Sequence, residues 1–207
     1  MKTLYLECSM GAAGDMLTAA LLELTDDKQS FVERMNGIGL PGVRVEAEEA
    51  VKCGITGTHM RVTVDGAEEE SADAEGHPHE HGHDHPHDHD HEYLHDHEHT
   101  HDHDHHHDEG HEHTHDHGHH HHASAGDIET LIDSLAVSDR VKADAKAVYS
   151  LIAEAESKVH GRPVSEVHFH EVGTMDAVAD VVGVCLLMEA LSPDQVIVSP
   201  VHTGSGK

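Results

Sequence analysis

One stretch, residues 77–122, constrains this chain more than any other, because it offers almost nothing from which a hydrophobic core could form. It holds 24 of the 29 histidines and 13 Asp and Glu, with no Lys or Arg. Alternating His with Asp or Glu buries too little apolar surface to offset the conformational entropy of the chain. We therefore expect a disordered insert, residues 67–123, between an N-terminal α/β part, 1–66, and a second part, 124–207, that completes the same domain.

The composition of the insert predicts binding of divalent transition metals. Imidazole suits nickel, zinc and copper, and His-X-His repeats provide many interchangeable sites of two to four imidazoles. The interleaved carboxylates add oxygen donors. The alternative is a solvated linker that binds metal only on a purification column. The named candidate ligands are His77, His79, His81, His83, His85, His101, His103, His105, His119, His120, His121 and His122.

The formal charge of −29 is concentrated between Arg61 and Arg140, where no Lys or Arg occurs. A strongly acidic chain repels nucleic acid and anionic lipid, so neither is an expected partner. Histidine protonation or bound divalent cations would reduce this charge. The charge pattern therefore predicts cationic ligands.

The cysteines and the apolar runs predict a cytoplasmic location. Cys8, Cys53 and Cys185 form no CxxC pair, and each lies in an apolar run, so we expect buried, reduced thiols. The N-terminus lacks a signal-peptide pattern, and the apolar stretch 178–191 is interrupted by acidic residues.

Hydrophobic periodicity predicts an α/β fold, with α+β as the alternative: a small open sheet with packed helices, interrupted by the disordered insert. Alternation predicts strands at residues 3–8, 43–47, 58–64 and 195–199. Apolar spacing and capping residues predict helices at residues 16–24 (capped by Asp15), 28–35, 127–134, 140–160 and 174–191.

The segment His-Phe-His-Glu-Val-Gly, residues 168–173, is a second candidate for metal binding. If residues 167–171 are extended, His168 and His170 point to the same side, as two ligands of one metal require. Asp176 and Asp180 then share one face of the following helix near its N-terminus, whereas Glu171 points away from the histidines unless the chain bends. The alternative is a structural cluster in which the histidines bond a helix cap.

The third candidate is the glycine-containing turn between the first strand and helix. Gly11, Gly14 and Asp15 follow a strand end and precede a helix N-terminus, which offers backbone N–H groups to an anion such as a phosphate. An ordinary strand–turn–helix connection explains the same residues. The spacing matches neither a P-loop nor GxGxxG.

Three features in this order resemble the nickel-insertion (LarC) family, whose members complete the nickel-pincer cofactor of lactate racemase. They are Leu-Tyr-Leu-Glu-Cys at residues 4–8 with Gly-Asp-Met at 14–16, the histidine-rich insert, and His-Phe-His-Glu-Val-Gly with Asp176. The resemblance implies a cytoplasmic nickel chelatase that inserts Ni²⁺ into pyridinium-3,5-bisthiocarboxylic acid mononucleotide.

The resemblance also implies CTP, with Mn²⁺ or Mg²⁺, bound in a C-terminal domain that we expect to be absent from these 207 residues. A lactate racemase-type apoprotein would be the downstream partner, and a homo-oligomer is compatible with the pattern. Together with ligand spacing, the resemblance predicts His168, His170, Glu171 and Asp176 as metal ligands, and Gly11, Gly14 and Asp15 near the phosphate of the precursor. It assigns no catalytic residue. The rival hypotheses are a non-enzymatic nickel metallochaperone or store, and a role in zinc homeostasis.

Overall fold

The first two strands are separated by two helices, and the last described strand pairs with the first. A computed structural model describes residues 1–68, 123–169 and 171–203, with Glu171 as backbone only. The elements are, in order, β1 (Thr3–Leu6), α1 (Gly14–Leu22), α2 (Lys28–Gly37), β2 (Val43–Lys52), β3 (Ile55–Val64), β4 (Ala123–Ser124), α3 (Ala125–Ser134), α4 (Asp139–His160), β5 (His168–Phe169), α5 (Met175–Leu191) and β6 (Gln195–Val198).

Side-chain caps explain where four of the helices begin. Asp27 accepts a hydrogen bond from the Ser30 N–H at the start of α2, and Ser124 and Asp127 form a reciprocal capping box at the start of α3. Ser138 caps α4 and Thr174 caps α5 in the same way. The sequence analysis used the capping signals at the starts of α3 and α4, and all four predicted helices are confirmed.

Helix α1 departs from the prediction. Its N-cap is Ala13, which provides no side-chain cap, and Asp15 lies inside the first turn with its carboxylate accepting from the Met16 N–H at 2.8 Å. The prediction that Asp15 caps this helix is therefore wrong. The helix begins at Gly14, two residues earlier than predicted, so Asp15 is its second residue rather than its cap.

The two predicted strands of the first block form a hairpin longer than expected. β2 and β3 pair in antiparallel register from Val43–Val64 to Lys52–Ile55, around a turn at Cys53 and Gly54 with φ of 52° and 79°. Cys53 at this tip is exposed, so the expectation that it is buried is wrong, whereas Cys8 and Cys185 are buried as expected. A two-residue turn with both φ values positive matches the twist of the strands and projects its residues into solvent.

The mixed α/β class is confirmed, but the strands do not form one open sheet. In the described part of the chain they form three two-stranded sheets: β1 with β6 in parallel, and β2 with β3 and β4 with β5 in antiparallel. The extended segment predicted at residues 167–171 is also shorter, because β5 ends at Phe169 and a 3₁₀ turn covers Glu171–Gly173. Helix α5 packs against α1, α4 and the hairpin.

Residues on both sides of the histidine-rich insert contribute to a single hydrophobic core. Leu21 and Leu22 of α1, Val141 of α4, and Val182 and Leu186 of α5 are each at most 1% exposed. Aliphatic side chains dominate because the chain has no Trp and two Phe. None of the described helices is long and apolar enough to cross a membrane.

Candidate functional site

The loops that follow β1 and β6 meet at one edge of the molecule, because parallel strands end on the same side. The Cys8 N–H donates to Ser199 Oγ at 2.8 Å, and the His202 N–H donates to the Cys8 carbonyl at 3.0 Å. Hydrogen bonds from Tyr5, and then from Ser199 and Ser9, lower the pKa of Glu7 at the same edge. The loops are therefore joined by direct hydrogen bonds.

The glycine-containing turn lies close to two later parts of the chain, the loop after β6 and helix α5. Gly11 has a φ of 98°, which favours glycine, and a Cβ placed on it would lie 3.9 Å from the His202 carbonyl oxygen. Gly14 is more tightly enclosed, because a Cβ there would lie 2.5 Å from Asp180 Cβ and 2.6 Å from its Oδ2. The absent side chain of Gly14 thus allows Asp180 to lie directly against the start of α1.

Three carboxylates converge at this point. Burial, the charge of Asp176, and the charge of Asp15 together raise the pKa of Asp180 to about 7, although the Asp15 N–H bond opposes the shift. Burial and the nearby Asp180 charge also raise the pKa of Tyr149 on α4. The start of α1 and the first two turns of α5 therefore form an acidic corner, defined here as Asp15, Asp176 and Asp180.

The acidic corner changes the chemistry expected of the glycine-containing turn. The Asp15 N–H bonds to Asp180, and the Met16 N–H bonds to the Asp15 carboxylate. These are first-turn donors that a phosphate at Gly14 and Asp15 would use, and they already face negative charge. The negative charge of the acidic corner favours binding of a cation. An anion is favoured there only if a cation binds together with it.

The His-Phe-His-Glu-Val-Gly segment leads directly into the N-terminus of α5. Its Phe169 is 1% exposed and packs against Tyr149, with the ring centroids 5.6 Å apart and the ring planes tilted by 55°. The Tyr149 hydroxyl donates to the Val172 carbonyl at 3.1 Å, and a Cβ on Gly173 would lie 2.8 Å from Phe169 Cβ. These buried contacts fix the segment immediately before Asp176.

His168 lies on the exposed side of this segment, opposite Phe169, as the alternation predicts. It pairs with Ser124 across β4 and β5. Hydrogen bonds from Ser124 lower the pKa of Asp127, and the His168 charge adds a smaller effect in the same direction. The predicted partner His170 and the Glu171 side chain lie outside the described residues.

The structure brings some of the predicted site residues together and leaves others apart. Gly14, Asp15 and Asp176 meet at Asp180, and Gly11 lies beside His202. His168 lies beside Ser124 and Asp127. Within residues 1–68, 123–169 and 171–203, no group of three or more His, Cys, Asp or Glu is arranged to hold a metal ion. The predicted insert ligands, His77 to His122, fall outside these ranges.

Sequence reasoning placed Asp180 beside Asp176 in the second candidate site without naming it as a ligand. It did not assign a site role to Tyr149, Ser199 or His202. The spacing of Asp176 and Asp180 was a usable signal for Asp180, because residues four apart share a helix face. Ser199 and His202 carried no local signal, since their position depends on the pairing of β1 with β6. Tyr149 occupies a buried position of α4, and the helical periodicity does not distinguish it from the other core residues of that helix.

Comparison with known proteins places the chain among proteins described by one function. It is 39% identical over its whole length to a Clostridium acetobutylicum protein, covering 45% of that protein. It is 36% identical to a Clostridium kluyveri protein and 32% identical to an Acetivibrio thermocellus protein, with all of this chain and 42% and 40% of the relatives covered. All three are named pyridinium-3,5-bisthiocarboxylic acid mononucleotide nickel insertion proteins.

The chain spans less than half the length of these three curated relatives. No solved structure matches it. The description "nickel insertion protein" applies to the family that matches residues 4–207, which is nearly the entire sequence. Because this match covers nearly the whole sequence, the chain belongs to the nickel insertion proteins.

Proposed function

We propose that this chain takes part in inserting nickel into pyridinium-3,5-bisthiocarboxylic acid mononucleotide, as part of a nickel chelatase. The observation that carries the proposal is whole-chain similarity, at 32 to 39% identity, to relatives that bear this name. Nickel and the mononucleotide are the substrates. Because the chain spans less than half of these relatives, the activity is proposed for the complete protein.

The donor set supports transfer of nickel rather than permanent binding. We assign a transit site to His168, His170, Glu171 and Asp176, which offer imidazole and carboxylate ligands. The two thiocarboxylate groups of the precursor are softer donors, which suit nickel well. An incomplete protein ligand set leaves coordination positions for these sulfur atoms, so the metal can pass to the precursor.

The glycine-containing turn receives the phosphate end of the precursor in this proposal, through Gly11, Gly14 and Asp15. The acidic corner beside it requires that positive charge accompany the phosphate, because Asp180 already accepts the Asp15 N–H. A divalent cation between the carboxylates and the phosphate would meet this requirement. We infer that the phosphate and a divalent cation bind here together.

The finer parts of the proposal concern the rest of the reaction. CTP with Mn²⁺ or Mg²⁺ would bind in polypeptide that the relatives possess and this chain does not span. The product would be the nickel-pincer cofactor, delivered to a lactate racemase-type apoprotein in the cytoplasm. Reduced thiols suit that compartment, and all three cysteines are free.

The test replaces His168 and His170 together by Ala in the complete protein and measures nickel incorporation into the precursor with CTP and Mg²⁺. Loss of two ligands should reduce incorporation at least about 10-fold. His160→Ala is the matched control, since His160 is an exposed histidine on α4 that contacts Glu156. Incorporation that is unchanged in the double variant would remove the transit site, and absence of nickel insertion by the unaltered protein would remove the function.

The second candidate function is a nickel store or metallochaperone without catalysis. The observation that favours it is the high capacity of the insert, with 24 histidines in 46 residues. Zinc would suit the same residues. The two functions differ in how they depend on nickel concentration once the insert is deleted.

A further inference from the structure

Strand β6 has the sequence pattern of an interior strand but lies at the edge of its sheet. Its last three residues are Val196, Ile197 and Val198, which are 42%, 43% and 50% exposed. A continuous β-branched run is typical of a parallel strand covered on both faces, and parallel sheets are found almost only in that environment. Two strands of four residues each are also fewer than an independently stable sheet needs.

The register shows that both faces of β6 are underpacked. Val196 and Val198 pair with Leu4 and Leu6, so they share the face on which Leu4 is buried at 8% exposure. The core residues that bury Leu4 on this face leave the two valines half-exposed. Ile197 pairs with Tyr5, which is 57% exposed on the opposite face. Strand β6 therefore exposes apolar side chains on both of its faces.

Among the residues that the structure describes, no strand pairs with the second edge of β6, so the backbone of β6 has an open edge there. The Gln195 N–H donates to the Lys2 carbonyl at 3.2 Å, and the Ser199 N–H donates to the Leu6 carbonyl at 2.9 Å. By strand alternation the Ile197 N–H points to β1 as well, whereas the Val196 and Val198 N–H groups point away from it. Exposed edges in stable proteins usually carry charges or Pro, and β6 carries neither.

We propose that this open edge of β6 binds a further β-strand from the polypeptide that the longer family members possess and this chain does not span. The relatives supply ample length, since the chain covers 40 to 45% of them. A second copy of this chain fits less well. Antiparallel pairing of two four-residue strands extends about 13 Å, too short by itself to bury the roughly 800 Å² per partner of a stable interface.

Hydrogen exchange at single amides tests the proposal on two proteins, this chain and the full-length Clostridium acetobutylicum relative. In this chain the Ile197 amide should exchange at least about 10-fold more slowly than those of Val196 and Val198. In the full-length relative the amides aligned with all three residues should be protected to a similar extent. Fast exchange at the positions aligned with 196 and 198 would overturn the proposal, as would protection in this chain that rises with its concentration, which would indicate self-pairing.

A pair of proline substitutions provides a second measurement. Val198→Pro removes an N–H from the open edge, whereas Ile197→Pro removes one from the bond to β1. In this chain Ile197→Pro should lower the melting temperature by at least about 5 °C more than Val198→Pro. In the full-length relative Pro at the position aligned with 198 should lower the melting temperature as much as Pro at 197. If Pro at the position aligned with 198 left the melting temperature of the full-length protein unchanged, no strand would bind at this edge.

Discussion

At the scale of single residues, the contact between Gly14 and Asp180 determines how α1 and α5 meet. Gly14 is the first residue of α1, where a small side chain is normally tolerated. Here a Cβ would lie 2.5 Å from Asp180 Cβ, a separation that requires the two helices to move apart. The glycine is therefore explained by close approach of a neighbouring chain segment rather than by an unusual φ.

Gly14→Ala should lower the free energy of unfolding by about 1–3 kcal/mol, because the overlap with Asp180 outweighs the better helix propensity of Ala. Gly37→Ala is the matched control: Gly37 ends α2 and a Cβ there meets nothing within 4 Å. The control should be neutral or stabilising by up to about 1 kcal/mol. Urea denaturation measures both, and equal effects in the two variants would contradict the contact.

Asp180 should make stability depend on pH. Its folded pKa of about 7 lies above the ordinary value of 3.8, so the folded state prefers the protonated form. The stability contribution is therefore present below about pH 4 and is lost as pH rises towards 7. Asp15, Asp176 and Tyr149 are the titratable groups that interact with it.

Asp180→Asn should stabilise the protein by about 1–2 kcal/mol at pH 8, after allowance for screening of this half-buried group, and by little at pH 4. Asp26→Asn, at an exposed loop position, is the control and should not alter the pH profile. Denaturation from pH 4 to 8 gives the comparison. A variant that is destabilised at pH 8 would contradict the raised pKa of Asp180, because the Asn amide oxygen can still accept the Asp15 N–H.

At the scale of elements, helix α4 holds the segment that precedes α5. Tyr149 packs against Phe169 and donates to the Val172 carbonyl, so one side chain contacts both β5 and the following 3₁₀ turn. Since the Asp176 backbone follows that turn directly, α4 controls where the acidic corner lies relative to His168. Helix α4 therefore acts on the acidic corner by positioning this segment through buried contacts, not through charge.

Tyr149→Phe should cost about 1 kcal/mol, because it removes the hydrogen bond to Val172 and leaves the ring in place. Tyr5→Phe removes a hydroxyl that bonds the exposed Glu7 and should cost less. Thermal denaturation and amide exchange at residues 168–173 measure the two variants. Exchange in that segment should increase only in Tyr149→Phe, and equal exchange in both variants would contradict the role of α4.

At the scale of the whole molecule, the histidine-rich insert separates two stretches of chain that share one core. Residues on each side contribute, from Leu4 through Met60 and from Ile128 through Leu187. β1 and β6, near opposite ends of the described chain, pair in one sheet. We proposed that the chemistry takes place at the edge where the loops after β1 and β6 meet. We therefore interpret the insert as a source of metal ions for that site.

Deleting residues 77–122 should separate chelatase from store. A chelatase that lacks the insert should keep its turnover at saturating Ni²⁺ and lose it when nickel is scarce, because only local metal supply is changed. A store should lose its function at every concentration. Nickel incorporation into the precursor, measured across a nickel titration, distinguishes the two. A same-length variant with the 24 insert histidines replaced by Gln controls for loop length and should match the deletion.

The sequence by itself determined the features that depend on neighbouring residues. The capping box at Ser124 and Asp127 and the cap at Ser138 located α3 and α4, because a cap bonds an N–H three residues away. The composition of the insert was sufficient to predict that it binds divalent metals, since that prediction rests on ligand chemistry and needs no fold. The order of motifs was sufficient to identify the family.

Only the tertiary structure decided which distant residues meet. The strand pattern predicted β1 and β6 but not their pairing, and the spacing of Asp176 and Asp180 predicted a shared face but not that Asp15 joins it. It also decided that Cys53 is exposed at a hairpin tip. Local signals act over a few residues, whereas the contact of Gly14 with Asp180 depends on how two complete helices pack. The charge of the candidate site is a product of that packing.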